Sequence, residues 1–360
     1  MKPVKKKVYV GLSGGVDSSV SAALLKKAGF DVTGVFIKAW HPDFMPCDWK
    51  SDRRDAMRVC AKLDIPFVTL DLEKEYKMSV VDYMIREYSL GRTPNPDVMC
   101  NKEIKFGYFL KYAQRMGANY VATGHYAQNL NVNGTHILSE GKDNNKDQSY
   151  FLWTLTSKQL EKILFPIGYL TKPEVRKLAK KFNLITAEKK DSQGLCFMGK
   201  VDMKEFLLHY LKEKRGSVLD IQGKKIGHHD GSIFLTIGQR HGFTVTNNAE
   251  KTKPLYITAK DFKKNTITVS EKTPEEIEKL GVKLIYLENT VWTCEKPIKN
   301  KIYSIRLRYR QSPQKATIAK NGNIWVVTLE KPHIGVSEGQ SLVVYDKSLC
   351  LGGGIIKTAK

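Results

Sequence analysis

The sequence predicts an α/β protein in which a doubly wound parallel sheet is followed by a small β-rich domain and a C-terminal β-barrel. Three observations support this prediction. Apolar runs alternate with helix-like stretches early in the chain, short strands and turns begin at Gly216, and the chain is strand-like from Leu284 onward. Strand–helix alternation with buried strands is typical of a parallel sheet covered by helices. We expect domains at 1–200, 201–280 and 281–360.

The individual elements follow from local patterns. Apolar, β-branched runs predict strands at 8–10, 32–37, 67–70 and 120–122. Helical spacing of apolar residues predicts helices at 18–28, 52–63, 76–89, 105–116, 157–164, 172–182 and 201–214. The turn-rich stretch 130–150 predicts a hairpin and a loop. Ligands of such a sheet bind at the carboxyl ends of its strands, where the loops 11–19, 38–40 and 124–126 are expected to meet.

A glycine-rich loop joins the first predicted strand to the first predicted helix, and it reads Gly11-Leu12-Ser13-Gly14-Gly15-Val16-Asp17-Ser18-Ser19. Its glycines let the backbone approach a ligand closely, and free N–H groups at the helix start favour an anion. Asp17 would repel a phosphate unless a metal ion lay between the two groups. The loop therefore predicts a pyrophosphate site with Mg²⁺ next to Asp17. The alternative is a simple turn whose carboxylate caps the helix.

The charge of the chain indicates a polyanionic partner. With 59 basic and 37 acidic residues the net charge is +22, which suits nucleic acid, although a lysine-rich proteome would give a similar excess. No apolar run is long enough to span a membrane. The basic N-terminus leads directly into a predicted buried strand instead of a signal peptide, so we expect a cytoplasmic protein with no membrane partner.

The six cysteines match neither a disulfide framework nor a zinc-finger spacing. Cys100 follows Pro94 and Pro96, which predict an extended loop, so its thiol would lie at a helix start that favours the thiolate. Cys196 lies in a polar, glycine-flanked stretch that is typical of a mobile loop. Each of these two cysteines could be a nucleophile or an ordinary buried residue. The others that we assign, Cys60, Cys294 and Cys350, are expected to be structural.

The whole chain resembles the tRNA 2-thiouridylases, a family of the PP-loop ATP pyrophosphatase superfamily. The glycine loop matches the superfamily signature Ser-Gly-Gly-x-Asp-Ser and is not followed by the Lys-Ser/Thr of a Walker loop. Further blocks that resemble the family are Asn95-Pro96-Asp97-Val98-Met99-Cys100-Asn101, Thr123-Gly124-His125-Tyr126, Lys146-Asp147-Gln148-Ser149-Tyr150-Phe151-Leu152, Asp191-Ser192-Gln193-Gly194-Leu195-Cys196-Phe197, Gly238-Gln239-Arg240-His241-Gly242, Arg308-Tyr309-Arg310-Gln311 and Cys350-Leu351-Gly352-Gly353-Gly354-Ile355-Ile356.

The resemblance implies a role for each matched position. It implies that Cys100, Cys196 and Asp17 are catalytic. It implies that ATP is bound by Gly11, Leu12, Ser13, Gly14, Gly15, Val16, Asp17, Ser18, Ile37 and Gly124. It implies that tRNA is contacted by Asn95, Pro96, Asp97, His125, Lys146, Asp147, Gln148, Arg308, Tyr309 and Gln340, the first three of which face the uracil. Family members often carry methionine where Ile37 stands, and either side chain can pack against adenine.

The resemblance also implies a reaction, the ATP-dependent 2-thiolation of the wobble uridine in the anticodon loop of tRNA. Uracil O2 would attack the α-phosphate to give an O2-adenylate, and Mg²⁺ would assist the departure of pyrophosphate. A persulfide on Cys196, loaded by a sulfur donor or relay protein, would supply the sulfur. Either the terminal sulfur attacks the ring directly, or Cys100 releases sulfide and leaves a transient Cys100–Cys196 disulfide.

Three alternatives stay open. The ATP loop could belong to an adenylating enzyme with a small acceptor, in which case pyrophosphate release would not require tRNA. An RNA-binding module could hold ATP as a structural ligand, and it would then release no pyrophosphate. Finally, Cys100, Cys196 and Asp97 could hold an iron–sulfur cluster that carries the labile sulfur.

Overall fold

The computed structural model describes residues 5–45, 49–190, 202–246 and 253–360. The strands are β1 (Lys7–Gly11), β2 (Asp31–Lys38), β3 (Phe67–Asp71), β4 (Tyr120–Ala122), β5 (Ala127–Val132), β6 (Thr135–Glu140), β7 (Ile163–Leu164), β8 (Gly216–Leu219), β9 (Lys225–His229), β10 (Phe243–Val245), β11 (Tyr256–Asp261), β12 (Thr266–Ser270), β13 (Val282–Trp292), β14 (Ile302–Arg306), β15 (Gln314–Asn321), β16 (Ile324–His333), β17 (Ser341–Asp346) and β18 (Leu349–Ala359).

The helices are α1 (Val16–Lys27), α2 (Trp49–Leu63), α3 (Glu73–Tyr76), α4 (Asp82–Ser89), α5 (Pro96–Met99), α6 (Phe109–Arg115), α7 (Ser157–Leu160), α8 (Lys172–Lys181), α9 (Met203–Leu208) and α10 (Pro274–Leu280). Two π-helical segments, Lys77–Val81 and Cys100–Tyr108, connect α3 to α4 and α5 to α6. Short 3₁₀ turns are formed by Ser149–Phe151 and Ser232–Phe234.

The predicted fold class is confirmed. A parallel sheet of order β3-β2-β1-β4-β7 is followed by a small sheet, β10-β9-β8-β12-β11, and by a C-terminal antiparallel sheet. This last sheet closes into a barrel because β13 pairs with both β16 and β18. The apolar strand β1 lies between β2 and β4, which explains why its side chains are buried and why its carboxyl end lies at the centre of the sheet.

The structure corrects two local predictions. The segment with Pro94 and Pro96 is extended only as far as Asn95, because Pro96 begins a helix at the first-turn position where proline is tolerated. The predicted helix 157–164 ends at Leu160, and Ile163–Leu164 instead forms β7, which extends the parallel sheet beside β4. Short apolar runs of this kind are ambiguous between helix and strand when only periodicity is used.

The hairpin predicted within 130–150 is present as β5 and β6. Although β4, the strand before it, belongs to the parallel sheet, the hairpin belongs to the barrel sheet. Ser139 of β6 pairs with Leu349 of β18, so the hairpin extends the barrel sheet. The hairpin that follows β4 of the parallel sheet is thereby joined to the barrel by backbone hydrogen bonds. None of the helices in the described residues is long and apolar enough to cross a membrane.

Candidate functional site

The glycine loop connects the carboxyl end of β1 to the N-terminus of α1, as predicted. Gly14 adopts a φ of 75°, a left-handed conformation that favours glycine. Gly15 is the N-cap of α1, and no side chain of the described residues caps the amides that follow it. Ser18 Oγ bonds within the loop, where it accepts from Ser13 N and donates to Gly15 O, both at 3.2 Å. The start of α1 therefore offers backbone donors to an anion.

Two further backbone segments approach this loop so closely that only glycine fits. A Cβ at Gly124 would lie 2.6 Å from Ser18 N, and a Cβ at Gly14 would lie 2.4 Å from Asp52 O. The loop after β4 and the first turn of α2 therefore enclose the start of α1. We call the glycine loop and the start of α1, enclosed by Gly124 and by the first turn of α2, the cradle. It fits the phosphate groups of ATP, because phosphate binding requires the protein backbone to come close to the ligand. Ile37, predicted to contact adenine, is buried near the end of β2 with 4% of its surface exposed.

Asp17 already has two partners in this cradle. Lys172 Nζ lies 2.8 Å from each carboxylate oxygen, and Tyr126 Oη donates a hydrogen bond to Oδ1 at 2.7 Å. Mg²⁺ could join this carboxylate only if Lys172 left it, because two cations would otherwise be in contact. The predicted magnesium contact therefore does not fit at Asp17 while Lys172 is in this position.

His125 lies beside the cradle but below the surface. Lys105 Nζ lies 3.4 Å from His125 Nε2, and because an ammonium group can only donate, Nε2 is the acceptor. The ring proton is therefore on Nδ1, which donates to Thr123 Oγ1 at 2.7 Å. Burial, reinforced by the Lys105 charge, holds the pKa of His125 well below its usual range. The imidazole is consequently neutral, and its predicted contact with tRNA stays a prediction.

Cys100 is fully buried at the point where α5 passes into the π-helical segment. In a π-helix, residues five apart lie one turn from each other, so Lys105 follows Cys100 on the same side of this helix. Asn95 caps the helix by accepting a hydrogen bond from Val98 N at 3.2 Å. The thiol, the predicted uracil-facing residues and the lysine that contacts His125 thus belong to one continuous helical segment and its N-cap.

Cys196 lies outside the described residues, so its pairing with Cys100 and its part in an iron–sulfur cluster stay predictions. Among the described residues there is no group of three or more histidine, cysteine or acidic side chains that could hold a metal ion. The predicted structural cysteines Cys60 and Cys350 are buried, and burial raises the pKa of the Cys60 thiol to about 12. A thiol in this environment is a poor nucleophile.

The predicted tRNA-contacting residues Asp147 and Gln148 are held by protein contacts. Gly141 N, Ser149 N and Arg306 Nη1 donate to the Asp147 carboxylate, the last at 2.7 Å. Arg306 also pairs with Glu140. Gln148 Oε1 accepts from Tyr126 N at 3.0 Å. This segment therefore links the barrel, through Arg306, to the tyrosine that contacts Asp17.

Arg308 lies at the junction between the small sheet and the barrel. Its guanidinium donates to the carbonyl oxygens of Ile237 and, at 3.0 Å, of Gly335. Gln311 Nε2 lies 2.8 Å from His333 Nε2. Burial lowers the pKa of both Lys272 and His333, and repulsion from the Arg308 charge lowers each of them further. We call Lys272, Arg308 and His333 the junction cluster. Within the described residues these three side chains form no ion pair with a carboxylate.

The remaining predicted tRNA residues are Tyr309, Gln340 and Lys146. The Tyr309 ring packs on Phe151 with a centroid separation of 4.5 Å, and the Arg310 guanidinium lies 5.0 Å from the Tyr309 centroid. Gln340 Nε2 donates to Thr93 O and Pro94 O, each at 3.0 Å. Gln340 thus holds the segment that leads into Asn95, so the barrel helps to position the residues predicted to face the uracil. Lys146 is half-buried beside Asp147.

Two residues of the site have no role predicted from the sequence. Tyr126 was noted as part of a loop and of a block that resembles the family, and Lys172 only as the start of a predicted helix. Tyr126 could have been found, because it follows Gly124 and His125 at the carboxyl end of a parallel strand. Nothing in the local sequence distinguishes Lys172 from the lysines around it.

Comparison with known proteins agrees with this architecture. Residues 6–200 match the model described as "tRNA methyl transferase HUP domain", 204–271 match "tRNA methyl transferase PRC-barrel domain" and 282–356 match "Aminomethyltransferase beta-barrel domain". The chain is 43% identical to the tRNA-specific 2-thiouridylase MnmA of Streptococcus mutans, over 99% of this chain and 96% of that protein. The proteins of the same name from Enterococcus faecalis (43%, covering 99% and 96%) and Listeria monocytogenes (44%, covering 98% and 95%) are similarly related.

The first model's description mentions methyl transfer, whereas these relatives are all named for thiolation. Identity of this level over nearly the whole chain is the more specific finding, because it includes all three domains. The chain therefore belongs to the tRNA-specific 2-thiouridylase family, a group of tRNA sulfurtransferases.

Proposed function

We propose that this protein carries out the ATP-dependent 2-thiolation of the wobble uridine in tRNA, by way of a uridine O2-adenylate and a persulfide on Cys196. The observation that carries the proposal is the cradle at the start of α1, enclosed by Gly14 and Gly124. The helix with Cys100 reaches the same loop through Lys105 and His125. Membership of the family and the net charge of +22 support tRNA as the substrate.

Activation of the base is the step that requires the cradle. Uracil O2 is a poor leaving group, so its attack on the α-phosphate of ATP converts it into a good one. A bond forms between O2 and the α-phosphorus while the bond to the departing pyrophosphate breaks. The amides at the start of α1 stabilise the negative charge on that leaving group. When bound, Mg²⁺ would add charge stabilisation on the phosphate oxygens.

Sulfur transfer requires both predicted cysteines. In one route the terminal persulfide sulfur on Cys196 attacks C2, AMP leaves with O2, and the Cys100 thiolate then attacks the Cys196 sulfur. In the other route, Cys100 first releases sulfide from Cys196, and the sulfide attacks C2. Both routes give 2-thiouridine, AMP and a Cys100–Cys196 disulfide, which an external thiol must reduce.

The target base must leave the anticodon stack to reach this site, a step that is inexpensive in a single-stranded loop. The segment with Asn95, Pro96 and Asp97 would face the uracil, since Gln340 of the barrel holds the residues in front of it. The junction cluster would contact the tRNA backbone through Arg308. The tRNA would thus bridge the barrel and the parallel-sheet domain.

The test is sulfur incorporation into unmodified tRNA with ATP, Mg²⁺ and a persulfide source. Wild type and the control Cys294→Ser should form 2-thiouridine, whereas Cys196→Ser and Cys100→Ser should not. Pyrophosphate release that does not require tRNA would contradict the proposal and favour a small acceptor. Thiolation that persists in both cysteine variants would contradict the two-thiol chemistry. An iron-free preparation that thiolates at the full rate would exclude the cluster.

A further inference from the structure

Arg92 lies in the short segment that joins α4 to α5, the helix that leads into Cys100. Gly91 adopts a φ of 76° at the end of α4, and Arg92 N donates to Glu87 O at 3.0 Å, which ends the helix. Arg92 is three residues before Asn95, the N-cap of α5, so their Cα atoms are at most about 11 Å apart. A shift of Arg92 therefore acts directly on the segment predicted to face the uracil.

The guanidinium of Arg92 joins two parts of the molecule. Its Nε lies 3.1 Å from Glu87 Oε2 in α4, and its Nη2 donates to Glu288 Oε1 in the barrel strand β13. A guanidinium presents its donors in a rigid fork, so it holds both carboxylates in fixed directions. The side chains of Glu87, Arg92 and Glu288 are 10%, 21% and 29% exposed, so these ion pairs are partly shielded from solvent. Arg92 thus ties the end of α4 to the barrel.

Glu288 makes this contact from an irregular part of its strand. The register of β13 against β18 shifts between Glu288 and Val291, and Asn289 adopts a φ of 51°. A bulge of this kind re-aims a side chain. Because Glu87 already neutralises Arg92 within its own domain, charge balance does not require Glu288. The barrel carboxylate therefore serves to connect the two domains.

The barrel and the small domain also contact the residues on either side of Arg92. Thr93 N donates to Glu338 O of the barrel at 2.8 Å. A Cβ at Gly91 would lie 2.6 Å from the ring of Phe262, which stands in the turn between β11 and β12 of the small sheet. The chain that leads into the predicted uracil-facing residues is therefore fixed by all three domains.

Resting on the proposed thiolation, we propose that Arg92 is a positioning residue, which through Glu288 fixes the Asn95 segment relative to the barrel, so that tRNA docked on the barrel presents its uridine to the adenylation site. Uracil O2 must meet the α-phosphate in line, and a misplacement of about 1 Å can cost about 100-fold in rate. In this proposal Arg92 touches neither substrate. Its effect therefore belongs to the rate of adenylation and not to the affinity for tRNA.

The two carboxylates that bind Arg92 provide a matched pair of variants. We would measure tRNA-dependent pyrophosphate release in a single turnover at saturating ATP, and tRNA affinity by filter binding. Glu288→Gln should lower the rate about tenfold. Its Kd for tRNA should rise by less than about twofold, because loss of an acidic group does not weaken attraction to phosphates. Glu87→Gln, which keeps the barrel contact, should stay within about twofold of the wild-type rate.

Thermal unfolding separates positioning from a general loss of structure. Glu87 is the more buried partner, so Glu87→Gln should lower the Tm more than Glu288→Gln does, although it has the smaller effect on the rate. Equal rate losses in the two variants, or a wild-type rate in Glu288→Gln, would overturn the proposal. A loss in Glu288→Gln that is fully explained by weaker tRNA binding would overturn it as well.

Hydrogen exchange distinguishes a failure of this proposal from a failure of the proposed function. Amides in 93–99 should exchange about tenfold faster in Glu288→Gln than in wild type, whereas Glu87→Gln should affect α4 instead. If wild type releases no pyrophosphate when tRNA is added, the proposed function fails, and exchange in 93–99 still shows whether Glu288 holds the segment. Unchanged exchange of this segment in Glu288→Gln would overturn the positioning role of Arg92.

Discussion

The cradle around α1 and the junction beside the barrel both gather charge, but they compensate it differently. In the cradle, the carboxylate of Asp17 meets Lys172 at 2.8 Å. At the junction, Arg308 donates to carbonyl oxygens only, and within the described residues its cluster has no carboxylate partner. The carboxylate and the ammonium group of the cradle neutralise each other. The unmatched guanidinium of Arg308 is suited to an extended polyanion that supplies its own charge.

Arg306 connects the two regions, and its removal should have the largest effect. It pairs with Glu140 and with Asp147, whose side chain is 2% exposed. Arg306→Gln leaves that carboxylate buried without a cation, so the free energy of unfolding should fall by about 3–5 kcal/mol in urea titrations. Lys301→Gln breaks a more exposed pair with Asp346, so its free energy of unfolding should stay close to that of wild type. Equal losses in the two variants would mean that the buried pairing does not join the regions.

A Cβ at Gly124 should abolish the cradle without affecting the junction. It would lie 2.6 Å from Ser18 N, so Gly124→Ala must push the loop after β4 away from α1. ATP affinity measured by calorimetry should fall about 100-fold, or about 2.7 kcal/mol. Gly134→Ala, in the turn between β5 and β6, is the control: its Cβ meets nothing within 4 Å, so it carries only the backbone strain of a φ of 83°, away from the cradle. Normal ATP binding by Gly124→Ala would place the nucleotide elsewhere.

Neutralising Arg308 should affect the junction alone. Arg308→Met should weaken tRNA binding about tenfold and lower the slope of log K against log[salt] by about 0.7–0.9, the value for one lost phosphate contact. Arg308→Lys keeps the charge and should keep the slope. Lys320→Met removes an exposed barrel lysine and serves as the control. An unchanged slope in Arg308→Met would show that this side chain only connects the small sheet to the barrel.

Acid should destabilise the cradle region through His125, the smallest effect we predict. Burial lowers the pKa of His125 in the folded protein, whereas in the unfolded chain this histidine has its ordinary pKa of about 6.5. Below about pH 6.5, His125 is therefore protonated in the unfolded chain but not in the folded protein. Stability is therefore lost as the pH falls, by about 1 kcal/mol at about pH 5.5. His125→Gln should lack this part of the acid sensitivity, whereas exposed His241→Gln should keep it. Identical pH profiles for wild type and His125→Gln would contradict a buried neutral imidazole.

The same contrast shows what could be predicted from sequence. The parallel strands and the glycine loop follow from local patterns, because apolar runs and glycine turns act over a few residues. The pairing of β6 with β18 does not, since Ser139 and Leu349 are brought together only by the tertiary fold. The helix that begins at Pro96 was missed because proline was read as a helix breaker, without its tolerance at the first turn.

Lys172 and Arg306 illustrate the limit for site residues. Each stands among other basic residues in a chain that carries 59 of them. Only the fold shows that Lys172 meets Asp17, which is 155 positions away, and that Arg306 meets Asp147, which is 159 positions away. Sequence motifs identified one partner of each pair, the carboxylate, because it lies within a recognisable block.

If uracil O2 is activated by adenylation at this cradle, its oxygen atom must leave with AMP, and an oxygen label can follow that atom. We would supply tRNA whose wobble uridine carries ¹⁸O at O2, together with ATP, Mg²⁺ and a persulfide source, and analyse the AMP by mass spectrometry. We expect one ¹⁸O atom in AMP for each 2-thiouridine formed, since O2 leaves with the phosphate. Thiolated tRNA accompanied by unlabelled AMP would rule out the O2-adenylate, because O2 would then have left by another route.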